Sequence, residues 1–422
     1  MHSVTNAIPT GTIASIPAKA HAHRALICAA LATSPSTILL SRTSKDIDAT
    51  MDSLRGLGAH VVYENKIVTV TPGPAPAKGN VVPHESGTTL RLLLPVAASI
   101  CNDVDVDAKG RLPDRPLEPM LGEMKAHGVT FSQDKPPFTM TGRLQGGNFS
   151  MVGDVSSQFF SGLLLAAPQI GLSTITSTTP LQSSDYVTLT TETMRDFGVE
   201  VEHTLPDKNI NEAFTVPFGA SFIGRDNYQI EGDWSNAAIW MVAAGMTGKP
   251  ITITGMNKNS VQADRRIMQV MFDAGCDVVW DGMNITVTGR ASKPIHADLE
   301  QMPDMLPVMA ALACSISGES SFIKGARLRL KESDRLIAVA NLIRDLGGTV
   351  CEEGDDLYII GSGILKGGHG DCVNDHRLVM AGTLMALISE NPVTLQDSEA
   401  ITKSYPDFFE DWNLLGGNAQ PL

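Results

Sequence analysis

The sequence predicts an α/β protein built from two domains of three related units each. Length is the first reason, because 422 residues exceed what one ordinary hydrophobic core holds. A recurring phrase is the second. A helical run closes on a glycine, and a strand-like stretch with a turn follows. The copies are LRGLGAHVVYENKIVTV, MKAHGVTFSQDKPPFTM, MRDFGVEVEHTLPDKNI, MFDAGCDVVWDGMNITV and IRDLGGTVCEEGDDLYI, with a truncated WNLLGGN at the end. Their glycines, Gly58, Gly128, Gly198, Gly275, Gly347 and Gly416, lie 70, 70, 77, 72 and 69 residues apart.

Each part of the phrase has a physical role. Glycine just past a helix end adopts the left-handed conformation that closes the helix. Alternating apolar residues around an Asn, Asp or Gly turn form a hairpin. The period exceeds that of the common solenoids, roughly 20–50 residues, and leaves room for two helices and several strands. The stretch YQIEGDWSNAAIW (228–240) separates the third copy from the fourth. A strand enters it and a helix leaves it, with Asp233 and Ser235 as cap candidates. The N-terminal strand TGTIASIPA has no unit of its own and is expected to pair in the second domain. The domains are then 18–231 and 1–17 with 232–422. The two crossovers are open to reading as a hinge or as a plain linker.

Composition narrows the function. With 43% apolar and 18% charged residues, the chain is that of a soluble globular protein. No apolar stretch reaches the roughly 18 residues of a membrane span; ALICAALA and GLLLAAPQIGL read as buried elements. The N-terminus lacks a basic segment leading into an apolar run, so a cytoplasmic protein is expected. Six scattered cysteines without a CxxC pair suggest reduced thiols and neither a metal site nor a disulfide framework. A net charge of −14 disfavours nucleic acid and anionic membranes as partners. An anionic small molecule therefore needs a local cationic pocket.

Such pockets are suggested at helix starts. RLKESDRL (329–336) sets Lys331, Glu332, Asp334 and Arg335 ahead of a helical run, with Ser333 expected as its N-cap. Cations beside a helix N-terminus make an anion site. A carboxylate among them has its pKa lowered until an anionic ligand neutralises the cations, which suits a switchable acid and base. PAKAHAHR supplies Lys19 and Arg24. ESGTTLR places Gly87 and Thr88 at a helix start, where glycine permits close backbone approach. GRLPDRP contributes Arg111 and Arg115, VSSQF contributes Ser156, Ser157 and Gln158, NDHR contributes His376 and Arg377, and ITKSYPDFF contributes Lys403. The helix dipole disfavours Lys and Arg at an N-terminus, so repeated violations point to a shared polyanionic ligand.

The motifs KESDR, NDHR, SGTTLR, DVSSQF, EGDWS and TKSYPDFF, spread over essentially the whole chain, resemble the EPSP synthase (3-phosphoshikimate 1-carboxyvinyltransferase) family. The resemblance implies a two-domain inside-out α/β barrel with six βαβαββ repeats, three per domain, and an active site in the interdomain cleft. It implies transfer of enolpyruvate from phosphoenolpyruvate to the 5-hydroxyl of shikimate 3-phosphate by addition–elimination, without metal or organic cofactor, in a monomer. Asp304, Glu332 and Lys19 match its catalytic groups, and their division of proton transfer stays open. Lys19, Arg24, Ser156, Ser157, Gln158, Ser183, Asp304 and Lys331 match shikimate 3-phosphate contacts. Lys19, Gly87, Arg115, Gln158, Arg335, Arg377 and Lys403 match phosphoenolpyruvate contacts, with Thr88, Tyr186 and His376 nearby.

Two positions depart from the family pattern. Ala20 stands where Ser is usual, so a hydroxyl that would bond shikimate 3-phosphate is missing, a loss of about 1 kcal/mol. His21 and His23 beside it are expected to face solvent. Arg327 stands where some members carry Asn, and is left outside the expected site. The rival readings are the sister enzyme acting on a UDP-amino sugar, whose loop cysteine is missing from AKGRLPDRP, and a non-catalytic binder of phosphorylated metabolites.

Overall fold

A computed structural model describes residues 1–207 and 211–422. The chain divides into two compact units. The first, Pro17–Ile230, contains α1 (Lys19–Ala30), α2 (Lys45–Gly56), α3 (Gly87–Ile100), α4 (Met120–Ala126), α5 (Ser157–Ile170) and α6 (Asp185–Asp196). The second joins Met1–Ile16 to Glu231–Leu422. It contains α7 (Trp234–Thr247), α8 (Ile267–Asp273), α9 (Leu306–Ser315), α10 (Arg335–Asp345), α11 (His376–Ala386) and α12 (Phe408–Leu414).

Strands of the described residues form six four-stranded sheets with one shared pattern. Gly79–Val81 runs parallel to Asp103–Val106, which is antiparallel to Phe138–Thr141, which is antiparallel to Thr130–Phe131. Helices α3 and α4 fill the connections, so the segment reads strand, helix, strand, helix, hairpin. The repeats around α5 and α9 follow the same order. The other three borrow a strand from far along the chain. Tyr228–Gln229 pairs with Ser36–Leu39. Gly11–Ala14 pairs with Ile251–Thr254, inside the second unit. His2–Val4 lies between Val393–Gln396 and Ala419–Pro421.

The six phrase glycines carry out their expected task. Gly58, Gly128, Gly198, Gly275, Gly347 and Gly416 all have positive φ, between 84° and 104°. A side chain there is strained, which explains glycine at each helix end. The first hairpin turns on Asn65 and Lys66, both at positive φ, as a two-residue turn matching strand twist requires. The turn of the third copy, 208–210, lies outside the described residues.

Two kinds of helix alternate. Helices α1, α3, α5, α7, α9 and α11 are buried on nearly every side and are rich in Ala, Leu and Val. Helices α2, α6 and α10 bury one face only. Each unit has its own apolar core, and the buried helices run through it. Close helix contact needs small residues: a Cβ on Gly162 of α5 would lie 2.4 Å from the carbonyl oxygen of Arg91 in α3. The cysteines are free thiols, buried except for Cys351.

Candidate active site

The starts of the buried helices carry most of the expected site residues. In the first unit a run of polar contacts joins several of them. Lys19, first residue of α1, places Nζ 2.7 Å from Asp46 Oδ2 in the first turn of α2. Thr89 Oγ1 of α3 lies 3.3 Å from the Asp46 carbonyl oxygen and 2.8 Å from Ser86 Oγ. Ser86 caps α3 by accepting from the Thr89 amide. Gln158 of α5 donates to Thr88 Oγ1 at 2.9 Å. Ser156 caps α5 by accepting from the Gln158 amide, and Ser157 is the first residue of that helix. A Cβ on Gly87 would lie 2.6 Å from Arg115 Nη1, so the guanidinium lies directly over the bare glycine.

Arg24 is 1% exposed. Its hydrogen bonds go to neutral groups: Nε to Thr190 Oγ1 at 2.7 Å, Nη1 to the Ala20 carbonyl at 2.7 Å, Nη2 to Ser161 Oγ at 3.3 Å and the Tyr186 carbonyl at 3.0 Å. Burial lowers its pKa to about 10. Ser183, buried and at φ 53°, opens the turn that leads into α6, and its carbonyl accepts from the Tyr186 amide. Tyr186 thus joins the Arg24 group through its backbone.

Two histidine expectations fail. His21 and His23 are buried, not solvent-facing. His21 Nε2 shares a hydrogen bond with Tyr228 Oη at 2.8 Å, and His23 Nδ1 with Thr50 Oγ1 at 2.7 Å. Burial, aided by Arg24, lowers His21 to about 4; burial, aided by Lys19 and Arg24, holds His23 well below its ordinary value. Helix α1 is buried almost all round, so no face remains for a solvated ring.

In the second unit the expected residues form one charged cluster. Asp304 lies in the short turn Pro303–Met305 ahead of α9. Its Oδ1 accepts from Arg335 Nη1 at 2.7 Å and lies 3.1 Å from Lys331 Nζ. Its Oδ2 lies 3.8 Å from Arg377 Nη2. Arg335, 1% exposed, also donates to Glu332 Oε2 at 2.6 Å and to Asp375 at 2.9 and 3.2 Å. One guanidinium thus holds three carboxylates from three segments. Asp375 caps α11 by accepting from the Arg377 amide at 3.0 Å, and its Oδ1 lies 3.9 Å from His376 Nδ1. Lys403 donates to the Asn374 carbonyl at 2.7 Å, which ties it to the same turn.

The electrostatics follow from this packing. Burial alone would raise the Asp304 carboxyl, but Lys331, Arg377 and Arg335 outweigh it and hold it below the ordinary range. Burial lowers Lys331 to about 8, with Asp304 opposing and Arg327 and Arg335 reinforcing. Burial opposes the Arg335 charge, yet Asp375, Glu332 and Asp304 raise its pKa.

One cap assignment is corrected, and one of two candidates is selected. Asp334, not Ser333, caps α10 by accepting from the Ile337 amide. Ser333 instead donates to Asp375 Oδ2 at 3.0 Å, because the turn swings its hydroxyl inward. Asp233 caps α7, while Ser235 donates to buried Asp264. Lys403 ends a short 3₁₀ helix, Ser398–Lys403, and Arg115 follows another, so neither stands at a helix start.

Sequence reasoning missed Asp46, the partner of Lys19. An acid in a first helical turn is ordinary, so Asp46 carried no signal of its own. It also missed Asp264, raised to about 6 by burial against the pull of Arg377, and left out Arg327, whose charge bears on Lys331.

Comparison with known proteins places the chain in a family. The family model of EPSP synthase (3-phosphoshikimate 1-carboxyvinyltransferase) matches residues 7–412. A 3-phosphoshikimate 1-carboxyvinyltransferase of Clostridium kluyveri is 36% identical over 412 residues, covering 96% of this chain and 95% of the relative. One from Methanocorpusculum labreanum is 34% identical over 417 residues, covering 97% of each. The solved EPSP synthase from Acinetobacter baumannii has a TM-score of 0.80 at 22% identity, covering 100% of this chain and 99% of that one, which shows the shared fold. Near-complete matches in sequence and fold, on a chain whose helix starts gather this cluster of acids and cations, establish that the chain belongs to the EPSP synthase family.

Proposed function

We propose that the chain transfers the enolpyruvyl group of phosphoenolpyruvate onto the 5-hydroxyl of shikimate 3-phosphate and releases phosphate, a step of aromatic amino-acid synthesis. The observation that carries this reading is the cluster in which Asp304, Lys331, Glu332, Arg335 and Arg377 meet within 3.8 Å of a partner. Each substrate bears a carboxylate and a phosphate of about −1.5 to −2. Cations are needed to hold them, and bidentate Arg suits both groups. Arg24 supports the same reading, since a buried guanidinium whose partners among the described residues are neutral gains from a nearby anion.

The chemistry is addition followed by elimination. A proton goes to the methylene carbon of phosphoenolpyruvate, and the 5-hydroxyl oxygen bonds to the adjacent carbon as it loses its own proton. The tetrahedral adduct then expels phosphate, and the new methyl group returns a proton. In the free protein Asp304 and Glu332 are held by cations. Substrate anions that draw Lys331 and Arg377 away raise the proton affinity of Asp304, which lets a carboxylate accept and return a proton. We assign Asp304 to the 5-hydroxyl, Glu332 to the second transfer, and Lys19 to a bridging position between the substrates. We also infer a cytoplasmic monomer. Among the described residues no helix is long and apolar enough to cross a membrane.

A phosphate-release assay tests the proposal. Turnover is expected with phosphoenolpyruvate plus shikimate 3-phosphate. Release with a UDP-amino sugar as the only accepted acceptor favours the sister activity, and binding without release favours an idle paralogue.

A further inference from the structure

Arg91 closes the SGTTLR motif but has no site role assigned above, and it touches two other segments of the expected site. It sits in α3, one turn beyond Thr88, and is 4% exposed. Its Nη1 donates to Gln158 Oε1 at 3.1 Å, and its Nη2 to the Pro116 carbonyl at 3.1 Å. Pro116 directly follows Arg115, the guanidinium that lies over Gly87. The Arg91 guanidinium carbon is 5.7 Å from the centroid of the Phe159 ring in α5, which packs its apolar face.

These contacts decide which way the Gln158 amide faces. A guanidinium only donates hydrogen bonds, so the amide atom beside it must be the oxygen. The reversed amide would set N–H against N–H. Gln158 Nε2 is thereby directed at Thr88, whose hydroxyl oxygen accepts at 2.9 Å. The Thr88 proton and the second Gln158 amide proton then remain as donors beside Gly87 and Arg115, a set suited to an anion. The hold on Pro116 fixes the backbone that carries Arg115. Gly162 makes the geometry reachable, since it lets α5 lie against the Arg91 backbone.

We propose that Arg91 is a positioning residue for phosphoenolpyruvate, acting through Gln158 and the Arg115 segment; this rests on the enolpyruvyl-transfer reading. The test measures KM for each substrate, kcat and melting temperature in Arg91→Lys, Arg91→Met, Gln158→Ala and the double variants. Arg91→Lys keeps the charge and the stem but not the fork, so it decides the matter where Arg91→Met fails to fold. A rise of about tenfold in KM for phosphoenolpyruvate is expected, the worth of one charged hydrogen bond. KM for shikimate 3-phosphate should rise less than KM for phosphoenolpyruvate, because Gln158 is expected to meet both substrates and Arg115 phosphoenolpyruvate alone. Adding Arg91→Lys to Gln158→Ala should change KM by less than about threefold, because both act on one contact. Equal rises for both substrates, a lower melting temperature with both KM values unchanged, or fully multiplicative effects overturn the proposal. An inactive wild type ends both readings, whereas an active wild type with flat KM values in the variants ends only this one.

Discussion

Asp304 holds its low proton affinity only while three cations crowd it, and Lys331 is the least secure of them. Burial brings Lys331 to about 8 from 10.5. Below that value the folded site keeps the ammonium; between it and 10.5 the unfolded chain binds a proton that the folded one has released. The contribution of this group to stability therefore rises with pH in that window. Anion binding at Lys331 should run the other way, weakening above about pH 8. Calorimetric titration of shikimate 3-phosphate from about pH 7 to 10 should show affinity falling on the alkaline side, and Lys331→Arg should remove the fall. An unchanged dissociation constant up to pH 10 would refute the assignment. Glu332 makes a separable prediction. Glu332→Gln keeps the size and the bond to Arg335 but cannot release a proton. Turnover should drop about 10²- to 10⁴-fold while both ligands bind nearly as before. Equal losses in binding and turnover would make Glu332 a structural partner of Arg335.

Many of the expected site residues lie at helix starts. Buried helices α3, α5, α9 and α11 are mostly apolar, whereas α1 carries His21, His23 and Arg24 within it. The first four amides of a helix lack intrahelical partners and attract anions. Gly87 shows how closely such an end is used. A methyl group there would press on Arg115 at 2.6 Å, and the flexible side chain rather than the backbone would give way. Gly87→Ala should therefore raise KM for phosphoenolpyruvate several-fold to about tenfold, one displaced charged contact. Melting temperature and shikimate 3-phosphate binding should hardly change. A large loss of stability would instead show that the Arg115 contact supports the fold. The cap of α10 carries a caution about local reading. KESDR offers Ser333 and Asp334 as equal candidates, and only the turn geometry sends the serine to Asp375.

At the scale of the molecule, the N-terminal residues complete the second unit. Gly11–Ala14 is the edge strand of one sheet, and His2–Val4 is an inner strand of another. Without them Ala419–Pro421 loses its pairing partner and Ile251–Thr254 gains an open edge. The continuous segment 17–230 should fold when expressed alone, with cooperative unfolding by circular dichroism. The segment 231–422 should not, unless residues 1–16 are supplied as a peptide or rejoined to it. Cooperative unfolding of 231–422 by itself would count against this. Near-total burial of α7, α9 and α11 in one core is why missing strands should be felt across the unit.

The repeat, the six glycines at helix ends and the charged helix starts were legible from the amino-acid order, because helix closure and capping depend on a few neighbouring residues. The candidate acids and cations were legible for the same reason: a charge that breaks a local rule stands out without its partners. Partnership itself was not legible. Lys19 finds Asp46, Arg335 gathers Asp304, Glu332 and Asp375, and Arg91 reaches Gln158. His21 and His23 looked like surface residues until α1 was seen to be enclosed. Local order sets which way the backbone turns. Which charges meet, which rings are buried and which hydroxyl faces inward depend on segments tens to hundreds of residues apart, and only packing brings those together.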